Sequence, residues 1–148
     1  MNTYIHPFFM SKICKLDIVT IEDNGFHLLV PVDINGIRRT LVLDTGASKS
    51  VLDLQWVQDN VEKAIQLEKE TSVGVGGSQL ESYSIEVDSL LIGSLSIKNH
   101  KTAVLDLSHV KLSYQNLGLP EIIGIIGGDI LSEFNAIIDY KKLELRFD

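Results

Sequence analysis

The run Leu41-Val42-Leu43-Asp44-Thr45-Gly46-Ala47-Ser48 places a carboxylate, a hydroxyl and a glycine directly after apolar residues. A carboxylate at the end of an apolar strand is costly unless it is paired, hydrogen-bonded or neutralised, and the amides of a tight glycine-containing turn are one way to hold it. An Asx-type turn that simply ends a strand is the plain alternative. Two further stretches combine glycine with apolar residues: Val73-Gly74-Val75-Gly76-Gly77, and Ile125-Ile126-Gly127-Gly128-Asp129-Ile130-Leu131. The first suits a hairpin tip. It does not suit a nucleotide loop, because Gly74-x-Gly76 requires a glycine at position 79, where Gln79 stands, and no Gly-Lys pair follows. His6, His27, His100 and His109 are scattered without metal-ligand spacing, and no Gly-x-Ser-x-Gly elbow is present to activate a serine. No metal or cofactor is expected.

The elements that must position these residues read as strands. From Leu16 to Leu43 apolar and polar residues alternate, broken at Asp23-Asn24-Gly25 and Ile34-Asn35-Gly36 by the Asn-Gly signal of tight hairpins, which predicts a β-meander. Val51 to Ala64 spaces Leu54, Val57 and Val61 at intervals of three and four, predicting one short helix with Trp56 as a core or interface residue. Strand composition resumes from Glu70 to Ile92, and the break at Gly93-Ser94 leads into two more strands ending near Leu107. Ser108 to Gly118 reads as a short helix or loop, and Ile122 to Ile126 as a buried strand. Asp129 to Phe134 is long enough for about one and a half helical turns, with Asp129 as N-terminal cap. Ala136 to Tyr140, a Lys141-Lys142 turn and Leu143 to Phe147 predict a final hairpin, with Leu143, Leu145 and Phe147 facing one way. The whole predicts an all-β, small, closed, mostly antiparallel barrel with one or two short helices.

Composition narrows the setting. A chain of 148 residues, 45% hydrophobic, fits one domain with a real core. A formal net charge of -7, with no Lys/Arg cluster, makes nucleic acid and anionic membranes poor partners and favours a peptide or small molecule. Cys14 is the only cysteine, which excludes an internal disulfide and points to a reducing compartment. Met1 to Ile13 has no basic start followed by an apolar run, and no segment has the apolar length of a membrane span, so a cytoplasmic location is expected. Residues 1–13 are expected to be an extension, with Met10 a second possible start, and residues 14–148 the domain.

Taken in order, LVLDTGAS at 41–48, VGVGG at 73–77 and IIGGDIL at 125–131 resemble the retropepsin-like family of aspartic peptidases, over roughly Phe26 to Phe147. The resemblance implies the acid-protease barrel, one half of a pepsin fold. It makes Asp44 the catalytic carboxylate, and Thr45 the residue whose hydroxyl ties two active-site loops across a dimer axis. Gly46 lets the loop turn under the carboxylate, and Ala47 completes the loop. Ile125, Ile126 and Gly127 pass beside that loop, Gly127 permitting close backbone approach because it lacks a Cβ. Val73, Gly74, Val75, Gly76 and Gly77 become a substrate-binding flap that closes over an extended peptide.

Amide hydrolysis needs a base to take a proton from water and an acid to protonate the carbonyl oxygen. Two nearby carboxyls sharing one proton supply both. One chain carries one Asp-Thr-Gly and about half the length of the two-lobed peptidases, so the resemblance implies a homodimer with the two Asp44 carboxylates paired. Ala47 has no hydroxyl to donate to the dyad, which predicts activity nearer neutrality than in relatives with Ser or Thr there. The competing expectation is an inactive module of the same fold that binds peptides or dimerises. The longer Leu107 to Glu121 segment departs from the compact viral members and is closer to bacterial and cellular ones.

Overall fold

The computed structural model describes residues 11–73 and 79–148. In chain order the strands are β1 (Lys12–Lys15), β2 (Asp17–Ile21), β3 (Gly25–Ile34), β4 (Ile37–Leu43), β5 (Val51–Asp53), β6 (Glu68–Val73), β7 (Gln79–Ile92), β8 (Leu95–Leu105), β9 (Gly124–Ile126), β10 (Ile137–Asp139) and β11 (Glu144–Phe147). Among the described residues three short α-helices join them, α1 (Leu54–Asn60), α2 (Ser108–Asn116) and α3 (Gly128–Glu133), and a 3-10 turn spans Glu62–Gln66.

The β2–β3–β4 meander forms where the hairpin signals stand. Asn35 and Gly36 both take positive φ, 51° and 85°, and the Asp33 side chain accepts the Gly36 amide at 2.8 Å. This is the left-handed geometry a two-residue hairpin needs, supplied by the two residue types that adopt it most cheaply. The large sheet runs β2-β3-β4-β9-β5-β8-β7-β6, and a short β3–β7 ladder from Val32↔Ile92 to Ile34↔Leu90 brings it back on itself as a barrel. Most ladders are antiparallel; β4–β9 and β5–β8 are parallel.

The core fills this barrel. Val30, Ile34, Leu41, Val87, Ile92 and Ile126 are among its fully buried side chains, each stabilising by about 1.5–3 kcal/mol relative to exposure. Leu145 and Phe147 of β11 join it, and Phe147 meets Phe134 edge to face at 6.4 Å. A smaller cluster of Leu29, Tyr114 and Ile122 lies on the other face of β3 and β4, with Val19 and Val42 packed on it, and seats α2.

A second, three-stranded sheet has the order β1-β11-β10. Its central strand is β11, paired along one edge with Lys12 to Lys15 and along the other with Ile137 to Asp139. The last strand therefore pairs within its own chain. Leu143 lies just before it, half-buried at a φ of 51°, with its carbonyl accepting the Leu16 amide at 2.8 Å.

Three local expectations are corrected. Val51 to Asp53 is strand, because it completes parallel pairing with Ala103 to Leu105; the helix then starts at Leu54 and ends before Val61. The two strands expected after Gly93 are one, β8, which keeps a single register with β7 from Tyr83↔Val104 to Ile92↔Leu95, on both sides of Asn99 with its φ of 50°. Asp129 is not the cap residue of α3, since Gly127 holds that position and Asp129 sits inside the first turn.

Candidate active site

Strand β4 carries Leu41 into the core and ends at Leu43, and the chain then turns. The Asp44 amide donates to the Ile126 carbonyl at 3.0 Å, the Ala47 amide to the Asp44 carbonyl at 3.2 Å, and the Gly46 amide to Asp44 Oδ1 at 2.8 Å. The carboxylate is thus held as the turn chemistry requires. Asp44, Thr45 and Gly46 are exposed in the single chain and Ala47 is half-buried, so the desolvation penalty expected for a buried carboxylate is absent there. The Thr45 hydroxyl has no hydrogen-bond partner among the described residues.

The loop is braced from beneath by the turn between β9 and α3. Gly128 donates its amide to the Ala47 carbonyl at 2.7 Å. Ser50 is 3% exposed and central: its amide and hydroxyl both donate to Asp129 Oδ1, at 2.8 and 2.7 Å, while its Oγ accepts the Gly127 amide at 2.9 Å. The same Asp129 oxygen accepts the Ile130 amide at 2.8 Å, placing negative charge in the first turn of α3, where the helix dipole favours it. Gly127 is extended, with φ -114° and ψ -171°, so its value lies in space and not in dihedral freedom. A Cβ there would stand 2.7 Å from the Lys49 carbonyl carbon and oxygen and 2.8 Å from the Ala47 oxygen. Ile126 is fully buried beside it, paired with Leu43, and Ile125 pairs with Val42.

Of the residues singled out in the sequence, Asp44, Thr45, Gly46, Ala47, Ile126 and Gly127 are brought together in this one assembly. Gly74, Val75, Gly76 and Gly77 lie outside the described residues. Val73 is described as the last residue of β6, paired with Gln79. Sequence reasoning missed Ser50, whose partners sit 77 and 79 positions away; only its place two residues after Ser48, just before β5, hinted at it.

A second bracket was also missed. Asp53, 1% exposed, caps α1 by accepting the Trp56 amide at 3.2 Å, accepts the Leu107 amide at 3.1 Å, and pairs with Lys111 Nζ of α2 at 2.8 Å. It fixes both helices to the end of β5. Among the described residues no three His, Cys, Asp or Glu side chains gather as a metal ion would need, and no helix is long and apolar enough to cross a membrane.

Comparison with known proteins bears on this assembly. Residues 30–130 match the family model described as aspartyl protease. A search of curated protein sequences finds no match. Among solved structures, the chain is similar to a retropepsin-like aspartic protease from Rickettsia conorii, with 20% identity, a TM-score of 0.58, and 93% of this chain and 94% of that one covered. It is similar to the retroviral protease-like domain of Ddi1 from Leishmania major at 21% identity and a TM-score of 0.59, covering 82% of this chain and 88% of that one. It is also similar to the EIAV protease complexed with the inhibitor HBY-793, at 26% identity and a TM-score of 0.50, covering 78% and 93%. With its Asp-Thr-Gly loop braced by the Ile-Gly turn on a retropepsin-like fold, the chain belongs to the aspartyl protease family.

Proposed function

We propose that two copies of this chain pair about a two-fold axis to form one aspartic endopeptidase, with the Asp44 carboxylates sharing a proton at its centre. The observation that carries this reading is the state of the Asp44-Thr45-Gly46 loop. It is braced from below by Ser50, Gly127 and Asp129, yet its residues 44–46 are exposed and the Thr45 hydroxyl has no hydrogen-bond partner among the described residues. A loop so built has its geometry prepared before any partner arrives, which lowers the cost of assembling the site.

One Asp44 as carboxylate takes the proton from water held between the pair, and the other as acid protonates the scissile carbonyl oxygen. The roles exchange as the tetrahedral species collapses. Asp129 has a bracing role instead, its Oδ1 accepting from Ser50 and from the Ile130 amide. Substrate binds as an extended peptide, with residues 73–77 taking the flap role that the resemblance implies.

The test is cleavage of an apolar-rich peptide library from acidic to neutral pH by the purified protein and by Asp44→Asn, with the oligomeric state recorded for both. Cleavage by a dimer, lost in the variant, is the expected result. A confirmed dimer that binds but does not cut would replace the peptidase with a peptide-binding module, and cleavage by a monomer would sink the shared dyad.

A further inference from the structure

The pleat sorts the residues of β3 and β4 between two faces. Leu28, Val30 and Leu41 belong to the main core, whereas Leu29 packs with Tyr114, and Val42 lies against that second cluster. Leu29 stands opposite Val42 and Leu28 opposite Leu43, the last pair of the ladder, so His27 and Asp44 are the residues that flank its end on the two sides of the hairpin. Alternation keeps His27 on the face of Leu29, the face that α2 covers, and Asp44 begins the turn directly after β4 at the same end. His27 is exposed, and its ring is held from one side: Nδ1 is 2.5 Å from Tyr114 Oη, with the two rings stacked at a centroid distance of 5.8 Å.

The direction of that hydrogen bond follows from burial. Tyr114 is 5% exposed, and burial pushes its phenol up, so it stays protonated. Its O–H has no other acceptor among the described residues. A buried O–H left without an acceptor costs more than an unused lone pair, so the phenol donates and Nδ1 accepts. The ring proton is then fixed on Nε2, which has no partner among the described residues.

We propose that His27, oriented by Tyr114, is a specificity-determining residue: a fixed N–H donor beside Asp44 that selects peptides carrying a carboxamide side chain, Gln or Asn, next to the scissile bond. This rests on the peptidase reading above. A carboxamide supplies the acceptor oxygen without the negative charge that a chain of net charge -7 disfavours.

The test uses two peptides, identical except for Gln or Leu at the positions flanking the scissile bond. Affinities are measured with the Asp44→Asn protein, which keeps the site but not its chemistry, and kcat/KM with the native residue at 44. The Gln peptide is expected to be favoured by about fivefold, the worth of one net hydrogen bond, and the ratio should collapse in His27→Ala and in Tyr114→Phe. Imidazole 15N shifts should show the proton on Nε2, and a tautomer mixture in Tyr114→Phe. A proton on Nδ1, an unchanged ratio, an equal loss for both peptides, or no binding of either overturns the assignment. Failure of the peptidase reading looks different: neither peptide is cut, while the Asp44→Asn protein still prefers Gln.

Discussion

Replacing Asp53 with alanine should be among the most damaging single changes outside the Asp44 loop. Three partners lose their acceptor at once: the Trp56 amide at the start of α1, the Leu107 amide before α2, and the Lys111 ammonium. Removing one half of a buried ion pair costs about 3–5 kcal/mol. Lys111 keeps 27% of its side-chain exposure and regains water, whereas the Asp53 side chain is 2% exposed, so the lower end of that range applies. A loss of about 3 kcal/mol corresponds to about 10 °C in Tm for a chain of this size. Lys111→Met leaves the carboxylate with two amide donors and should cost about 1–3 kcal/mol. The double variant should lose about 1–2 kcal/mol less than the sum, because both changes remove one shared interaction. Urea and thermal unfolding followed by circular dichroism, at one fixed protein concentration, measures all three. A single-variant loss below about 1 kcal/mol, or strict additivity, would refute the bracket.

Gly127→Ala should fold poorly or cut about 100-fold more slowly, since relieving a 2.7 Å contact with the Lys49 backbone moves the Asp44 loop; wild-type kinetics would show that the close approach is slack. Ser50→Ala strands the Gly127 amide and should cost about 1–3 kcal/mol, read by denaturant titration, with no loss meaning that the amide finds another acceptor. Cys14 offers a pH test. Burial pushes its thiol up to about 11, so from pH 9.0 upward the unfolded chain releases a proton that the folded chain keeps. Stability should therefore fall with rising pH between those values, and Cys14→Ala should flatten the slope; an identical slope in both proteins would refute it.

What was legible in the sequence was local. The Asn35-Gly36 turn, the Asp44-Thr45-Gly46 loop and the final hairpin are each written in neighbouring residues whose backbone preferences agree with the fold. What was missed depends on residues brought together from afar. Val51 to Asp53 has helical spacing, yet it is strand because β8 and β9 already flank that place. The roles of Ser50 and Asp53 exist only through partners dozens of positions away. The continuity of β8 through Asn99 is set by its long ladder with β7, and the sequence treated His27 as one of four scattered histidines until the β3–β4 register brought it to the end of the ladder that Asp44 follows.

The central place of β11 governs the order in which the molecule is made. Strand β1 is synthesised early, but its pairing partner follows more than a hundred residues later; the Ser11 hydroxyl bonds Asp148 across 137 positions. Until then β1 is an unpaired edge, and β10 lacks its neighbour on the side that β11 will occupy. Contacts of such separation close late and slowly. A ribosome therefore displays an exposed edge for most of the time the chain takes to appear, and this interval is when the protein is most open to misassembly or chaperone capture.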